Sequence, residues 1–232
     1  QVYQKGDFDV DFSLQSMCKP FNYCFVLEKL GLELVHKHVG QEPSGRQFND
    51  LTLLTRLLKS NSEKKLTSIP FNPMINAGAI MTAGLINSND NYEDRFSFVK
   101  EQYGKLIGWS AKGKFDSKFP RFNKDVAREE NFTGHNNLAI GYLLMATGNL
   151  PGKKTKLKKE KDNKKDEFDF YIEPAVTEAL KLYFSICSLE MTSTEIATAA
   201  ATLANNGVCP ITQSRILNQK TVRDCLPVLQ SS

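Results

Sequence analysis

With 232 residues, 41% of them hydrophobic and 24% charged, the chain can bury a sizeable core, which excludes a disordered, collagen-like or fibrous protein. The net charge of +4 is local: eight lysines and two acids between Lys153 and Lys165 contribute +6 and leave −2 for the rest. That run has no interleaved aromatics, so it reads as a solvated loop and not as a nucleic-acid face. The longest apolar runs fall short of the ~20 residues of a membrane span, and five scattered cysteines with no Cys-x-x-Cys pair argue against a zinc site or disulfide framework and for a reducing compartment.

The N-terminal stretch "QVYQKGDFDVDF" alternates polar and apolar residues, as an edge or terminal strand does, and shows no basic-then-apolar targeting pattern. After it, "FNYCFVLEKLGLELVHKHVG" has apolar residues at helical spacing, with Gly31 or Gly40 available to end the helix. "GQEPSGRQFN" reads as a turn, because Pro43 pushes Glu42 to extended geometry and Gly45 permits positive φ. Residues 50–68 read as a long polar loop. It leads into "PFNPMINAGAIMTAGLI", a small-residue helix whose Ala77, Gly78 and Ala79 admit another backbone at close range. "YEDRFSFVKEQYGKLIG" is helical by period. "EPAVTEALKLYFSICSLEMTSTEIATAAATLANNG" reads as two helices broken near Met191, with Thr192 or Ser193 as N-cap and Gly207 as C-cap. Clear strands are scarce, and the chain reads as mostly helical.

The stretch "SLQSMCKPFNY" sets Ser16 three residues before Lys19 at the entry to a buried helix. Two other matches, Ser62-Lys65 in a charged loop and Ser97-Lys100 on an amphipathic helix, show that the spacing alone says little. At a helical turn, residues i and i+3 share a face. There, desolvation and the helix N-terminus lower a lysine's pKa and make a neutral amine available as base for a serine hydroxyl, while backbone N–H groups of the turn can hold an oxyanion. The alternative is a structural polar turn, and the segment by itself leaves both open. His36, His38 and His135 make poor metal ligands: the first two point to different faces of one helix, and no carboxylate cluster accompanies them.

Five motifs in order, "LQSMCKP", "VHKHVGQEPSGRQFN", "NPMINAGAI", "NNLAIGY" and "ATLANNGVCPIT", resemble glutaminase, the serine-dependent amidohydrolase of β-lactamase-like fold, with the animal kidney and liver types nearest. The resemblance implies an α+β fold of β-lactamase/transpeptidase type, with this chain carrying mainly its helical part, and hydrolysis of L-glutamine to L-glutamate and ammonia through a glutamyl-serine ester without metal or organic cofactor. It implies Ser16 as nucleophile, Lys19 as base, and Asn76, Glu130, Asn137 and Tyr183 as substrate-binding residues. The chemistry agrees, since the ammonium of free glutamine calls for an anion, Glu130, and its carboxylate for neutral donors, Asn76, Asn137 and Tyr183. A homotetramer without nucleic-acid or membrane partners is implied, in mitochondria or otherwise the cytoplasm.

Against the family pattern, residues 50–68 and 153–167 read as loop insertions in a single catalytic domain spanning 1–232. The family's upstream tyrosine, its downstream tyrosine and its Lys-Ser-Gly strand find no match, so the chain is expected to be a domain incomplete at both ends, with most of the sheet contributed from outside it. The rival readings are a catalytically silent or regulatory subunit of a glutaminase oligomer and a β-lactamase or penicillin-binding type of Ser-Lys acyl enzyme.

Overall fold

The computed structural model describes residue 3 and residues 5–60, 63–109, 119–152 and 173–232, the side chains of 56–66 excepted. A 3₁₀ turn, Gln15–Met17, runs directly into α1, Cys18–Leu30. Pro20 is the third residue of α1, still within the first turn, where no intrahelical partner for its missing N–H would exist. Gly31, at φ 76°, ends α1, and α2 resumes at once over Leu32–His38. A side chain at Gly31 would have to adopt a backbone conformation that only glycine takes freely.

The small-residue helix α3, Asn76–Leu85, lies at the centre, with all ten of its residues buried. It packs against α1 and against two later helices, α6 (His135–Ala146) and α7 (Pro174–Cys187). Close approach is built into its first turn: a Cβ on Gly78 would lie 1.9 Å from the Asn72 carbonyl oxygen. The far end of α3 is held by α4, Tyr92–Leu106, whose buried Arg95 donates to the carbonyls of Ile86 and Ala83, each at 2.7 Å, and of Gly84 at 3.1 Å. These carbonyls lie at the helix end, where only that of Ala83 also accepts from a backbone N–H, of Ile86 at 3.2 Å, so one guanidinium closes the helix.

Strand β1, Phe12–Ser13, pairs with β5, Leu189–Met191, and β5 pairs with β4, Arg121–Phe122, all antiparallel. The alternating N-terminal stretch thus yields a strand only at its last residue, Phe12, continued by Ser13. In place of the expected polar loop at 50–68, β2 (Leu54–Ser60) and β3 (Glu63–Ile69) form an antiparallel hairpin, paired from Leu54 with Ile69 to Ser60 with Glu63. Its charged residues are interleaved with Thr55, Thr67 and Ile69, residue types suited to a strand. The other expected insertion, 153–167, lies outside the described residues.

Between β4 and α7, α5 covers Lys124–Thr133. As the sequence suggests, a break after α7 contains β5, and α8, Ser193–Ala204, starts at Thr192 with a capping box closed by Glu195. The end of α8 differs from expectation: Asn206, at φ 53°, occupies the left-handed position, and Gly207 beyond it donates its N–H to Thr202 O at 2.8 Å. This is the double closure in which the positive φ begins one residue earlier, on an asparagine able to adopt it, and continues at Gly207, φ 84°. The last helix, α9, Gln219–Ser231, packs on α1, where the Glu28 carboxylate accepts from the N–H of Asn218 at 2.9 Å. A single cluster of buried apolar residues runs from Leu14 to Val228, and all five cysteines are free. Among the described residues no helix is long and apolar enough to cross a membrane.

Candidate active site

Ser16 is exposed on the 3₁₀ turn, whereas Lys19, one turn on, is 3% exposed. The turn sorts the two side chains: Leu14 and Cys18 are buried in the core and anchor it, leaving Gln15, Ser16 and Met17 on the surface side. The Lys19 amine is turned into the protein, where it donates to Asn76 Oδ1 at 2.8 Å. Burial pushes its pKa below that of an ordinary lysine. Desolvation outweighs the opposing influence of the Cys18 and Cys187 sulfurs, and the Cys18 thiol is itself pushed up by its hydrogen bond to Cys187 and by burial.

The lysine fixes a relay beyond itself. An amine nitrogen bound to a side-chain amide selects the amide oxygen, so Asn76 must accept at Oδ1 and turn its NH2 outward. Asn76 Nδ2 donates to Asn137 Oδ1 at 2.9 Å, which in turn leaves the Asn137 NH2 as a free donor. The two asparagines come from the first turns of α3 and α6, 61 residues apart. Asn76 is further held by its backbone N–H, which donates to the Phe48 carbonyl at 2.7 Å.

Half-buried Glu130, on α5, accepts from Gln15 Nε2 at 3.0 Å, next to Ser16. Among the described residues it has no cationic partner, so its charge remains available. Tyr183 on α7 is 4% exposed, and burial above all raises its pKa, keeping the phenol protonated and able to donate. One turn further along α7, Cys187 Sγ lies 4.0 Å from Cys18 Sγ, which places that face of α7 against the Ser-Lys turn. Gly134, between α5 and α6, permits the convergence, since a Cβ there would come 2.7 Å from the Phe184 ring. The six residues singled out in the sequence are therefore tied to one neighbourhood: Lys19, Asn76 and Asn137 by direct bonds, Glu130 through Gln15, Tyr183 through the contact of α7, and Ser16 by the turn itself.

Two residues at this site were not anticipated. Gln15 holds Glu130 and takes φ 48°, outside the usual range for a residue other than glycine. Phe48 places its ring centroid 5.8 Å from the Lys19 amine while remaining 62% exposed. Neither carries a local signal, as the Gln15 contact spans 115 residues and Phe48 sits in an irregular turn. The histidines serve the fold: His36 and His38 each donate from Nδ1 to a backbone carbonyl, of Val39 at 2.8 Å and of Asn149 at 2.9 Å.

An exposed serine one turn from a desolvated lysine, with a carboxylate and neutral amide donors beside it, is an arrangement suited to nucleophilic acyl transfer on a zwitterionic substrate, carried on a mainly helical α+β fold. The chain belongs to the glutaminase family, whose family model matches residues 1–232. It is 36% identical to the mitochondrial liver isoform of glutaminase from Rattus norvegicus, over 100% of this chain and 32% of that protein. It is 33% identical to a glutaminase from Nostoc sp., over 99% of this chain and 56% of that protein. Among solved structures it resembles the probable glutaminase from Bacillus subtilis complexed with 6-diazo-5-oxo-L-norleucine, with a TM-score of 0.69 and 25% identity over 97% of this chain and 56% of that one. The chain thus spans about a third of its rat relative and little more than half of the two bacterial ones.

Proposed function

We propose that the protein hydrolyses L-glutamine to L-glutamate and ammonia through a glutamyl ester on Ser16. The observation that carries this reading is the desolvated Lys19 amine, held by Asn76 one turn from the exposed Ser16. In the neutral form the amine donates one hydrogen to Asn76 and keeps a lone pair for the Ser16 proton. Ser16 Oγ then attacks the side-chain amide carbon. Lys19 returns the proton to the leaving nitrogen, ammonia departs, and water cleaves the ester by the same exchange in reverse. Glu130 receives the substrate ammonium, and the outward NH2 of Asn137, the second N–H of Asn76 and the Tyr183 phenol receive its carboxylate. The diazo-ketone bound in the Bacillus subtilis relative carries the five-carbon chain of glutamine with a diazomethyl group in place of the amide nitrogen, which supports the same substrate class here.

The same proposal treats residues 1–232 as one catalytic domain with insertions at 50–68 and 153–167, working as a homo-oligomer in mitochondria, the location in the name of the rat relative. Exposed apolar side chains on α5 and α6, Phe132, Leu138 and Tyr142, suit assembly. The test is ammonia release from glutamine by the full protein and by its Ser16→Ala variant. The reading requires turnover in the first and none above background in the second, and equal turnover in both would remove Ser16 from the chemistry.

A further inference from the structure

Helices α5 and α7 each have a second face turned away from the candidate active site. On α5, Lys124, Ala127, Arg128 and Asn131 follow helical i, i+3, i+4, i+7 spacing, with Glu130 to one side. On α7, Lys181, Phe184 and Ser185 share a face roughly opposite Tyr183. Together with Tyr92 at the start of α4 and Phe122 of β4, these faces line an open-mouthed cavity of about 280 Å³.

Its lining divides by chemistry. The aromatic rings of Phe122, Phe184 and Tyr92 make the walls, and three cations stand at the rim. Among the described residues Lys124 has no ion-pair partner. Arg128 meets only Asp125, at 3.3 Å, with both side chains more than 80% exposed, a pairing water largely screens. The Lys181 ammonium lies 3.7 Å from the Tyr92 ring centroid. At the floor, Ser185 is 4% exposed and shares a 2.8 Å hydrogen bond with the Tyr92 hydroxyl. Two hydroxyls joined by one bond use one O–H between them and keep the other for an outside acceptor.

We infer that this cavity is a second ligand site, for a small aryl carboxylate: the ring packs between Phe122 and Phe184, and the carboxylate meets Lys124 and Arg128. Three cations with one weak anion among them favour a negative ligand, and apolar walls favour an organic anion over a bare inorganic one. Arg128 supplies the paired donors that match a carboxylate. The site shares its two helices with Glu130 and Tyr183 and none of the residues assigned to glutamine.

Titration calorimetry with benzoate tests the site, beside benzamide, its neutral isostere, and inorganic phosphate. The variant is Lys124→Ala/Arg128→Ala, at exposed positions whose loss leaves the core intact, which an unchanged melting temperature would verify. The expected result is saturable benzoate binding at one per chain, weakened roughly tenfold or more in the variant, with benzamide and phosphate weaker than benzoate by at least as much. Absence of benzoate binding, equal binding by the variant, or equal binding of benzamide or of phosphate would each overturn it.

Discussion

Lys19 donates to Asn76 Oδ1 across 2.8 Å with both side chains buried, so the group proposed as base is held by a neutral partner and not by a carboxylate. A neutral partner leaves desolvation dominant, and the lysine titrates below its ordinary value of about 10.4. Only the deprotonated amine acts as a base. Activity should therefore rise with pH through the lowered pKa and reach its plateau below the pH at which a free lysine would titrate. Lys19→Arg, which keeps a cation that cannot deprotonate, should lose roughly 10²–10⁴-fold in kcat and abolish that rising limb. A pH profile of kcat/KM for both forms checks this.

Asn76→Asp replaces the neutral partner by an anion of the same shape. The carboxylate should stabilise charged Lys19, raise its pKa and move the rising limb to higher pH, with lower kcat at neutral pH and recovery under alkaline conditions. Uniform loss of activity at every pH would instead assign Asn76 to substrate binding alone.

Glu130→Gln removes a charge and little volume, and keeps the contact with Gln15 feasible. If Glu130 receives the substrate ammonium, KM for glutamine should rise by an amount equivalent to about 1.5–3 kcal/mol while kcat changes little. A large fall in kcat at constant KM would place Glu130 in proton transfer.

Arg95→Met keeps much of the side-chain volume and removes the donors to the Ile86, Ala83 and Gly84 carbonyls at the end of α3. The Ala83 carbonyl keeps the Ile86 N–H, but a buried carbonyl left without a partner, as those of Gly84 and Ile86 would be, costs about 1–3 kcal/mol, so the variant should lose at least that much stability in denaturant unfolding. Residual activity per folded molecule should be retained, since Asn76 lies at the other end of α3.

The helices were legible because their causes are local: the apolar period of α1 and α4, the small residues of α3, and Thr192 with Glu195 three residues on. The hairpin at 54–69 was missed because charge dominates its composition, and strand pairing depends on a partner across the turn that periodicity does not report. At the site, residue types were legible through motif resemblance, but their connections were not. The relay from Lys19 through Asn76 to Asn137 and the contact of Gln15 with Glu130 join segments 57 to 115 residues apart, and only packing of α3, α5 and α6 around the Ser-Lys turn brings them together.

Most direct for the central claim is peptide mapping by mass spectrometry after incubating the full protein with 6-diazo-5-oxo-L-norleucine. Nucleophilic attack by the proposed serine predicts one covalent adduct per chain on Ser16, lost in Ser16→Ala and strongly slowed in Lys19→Arg. An adduct on any other residue, or undiminished labelling of the Ser16→Ala variant, would contradict it.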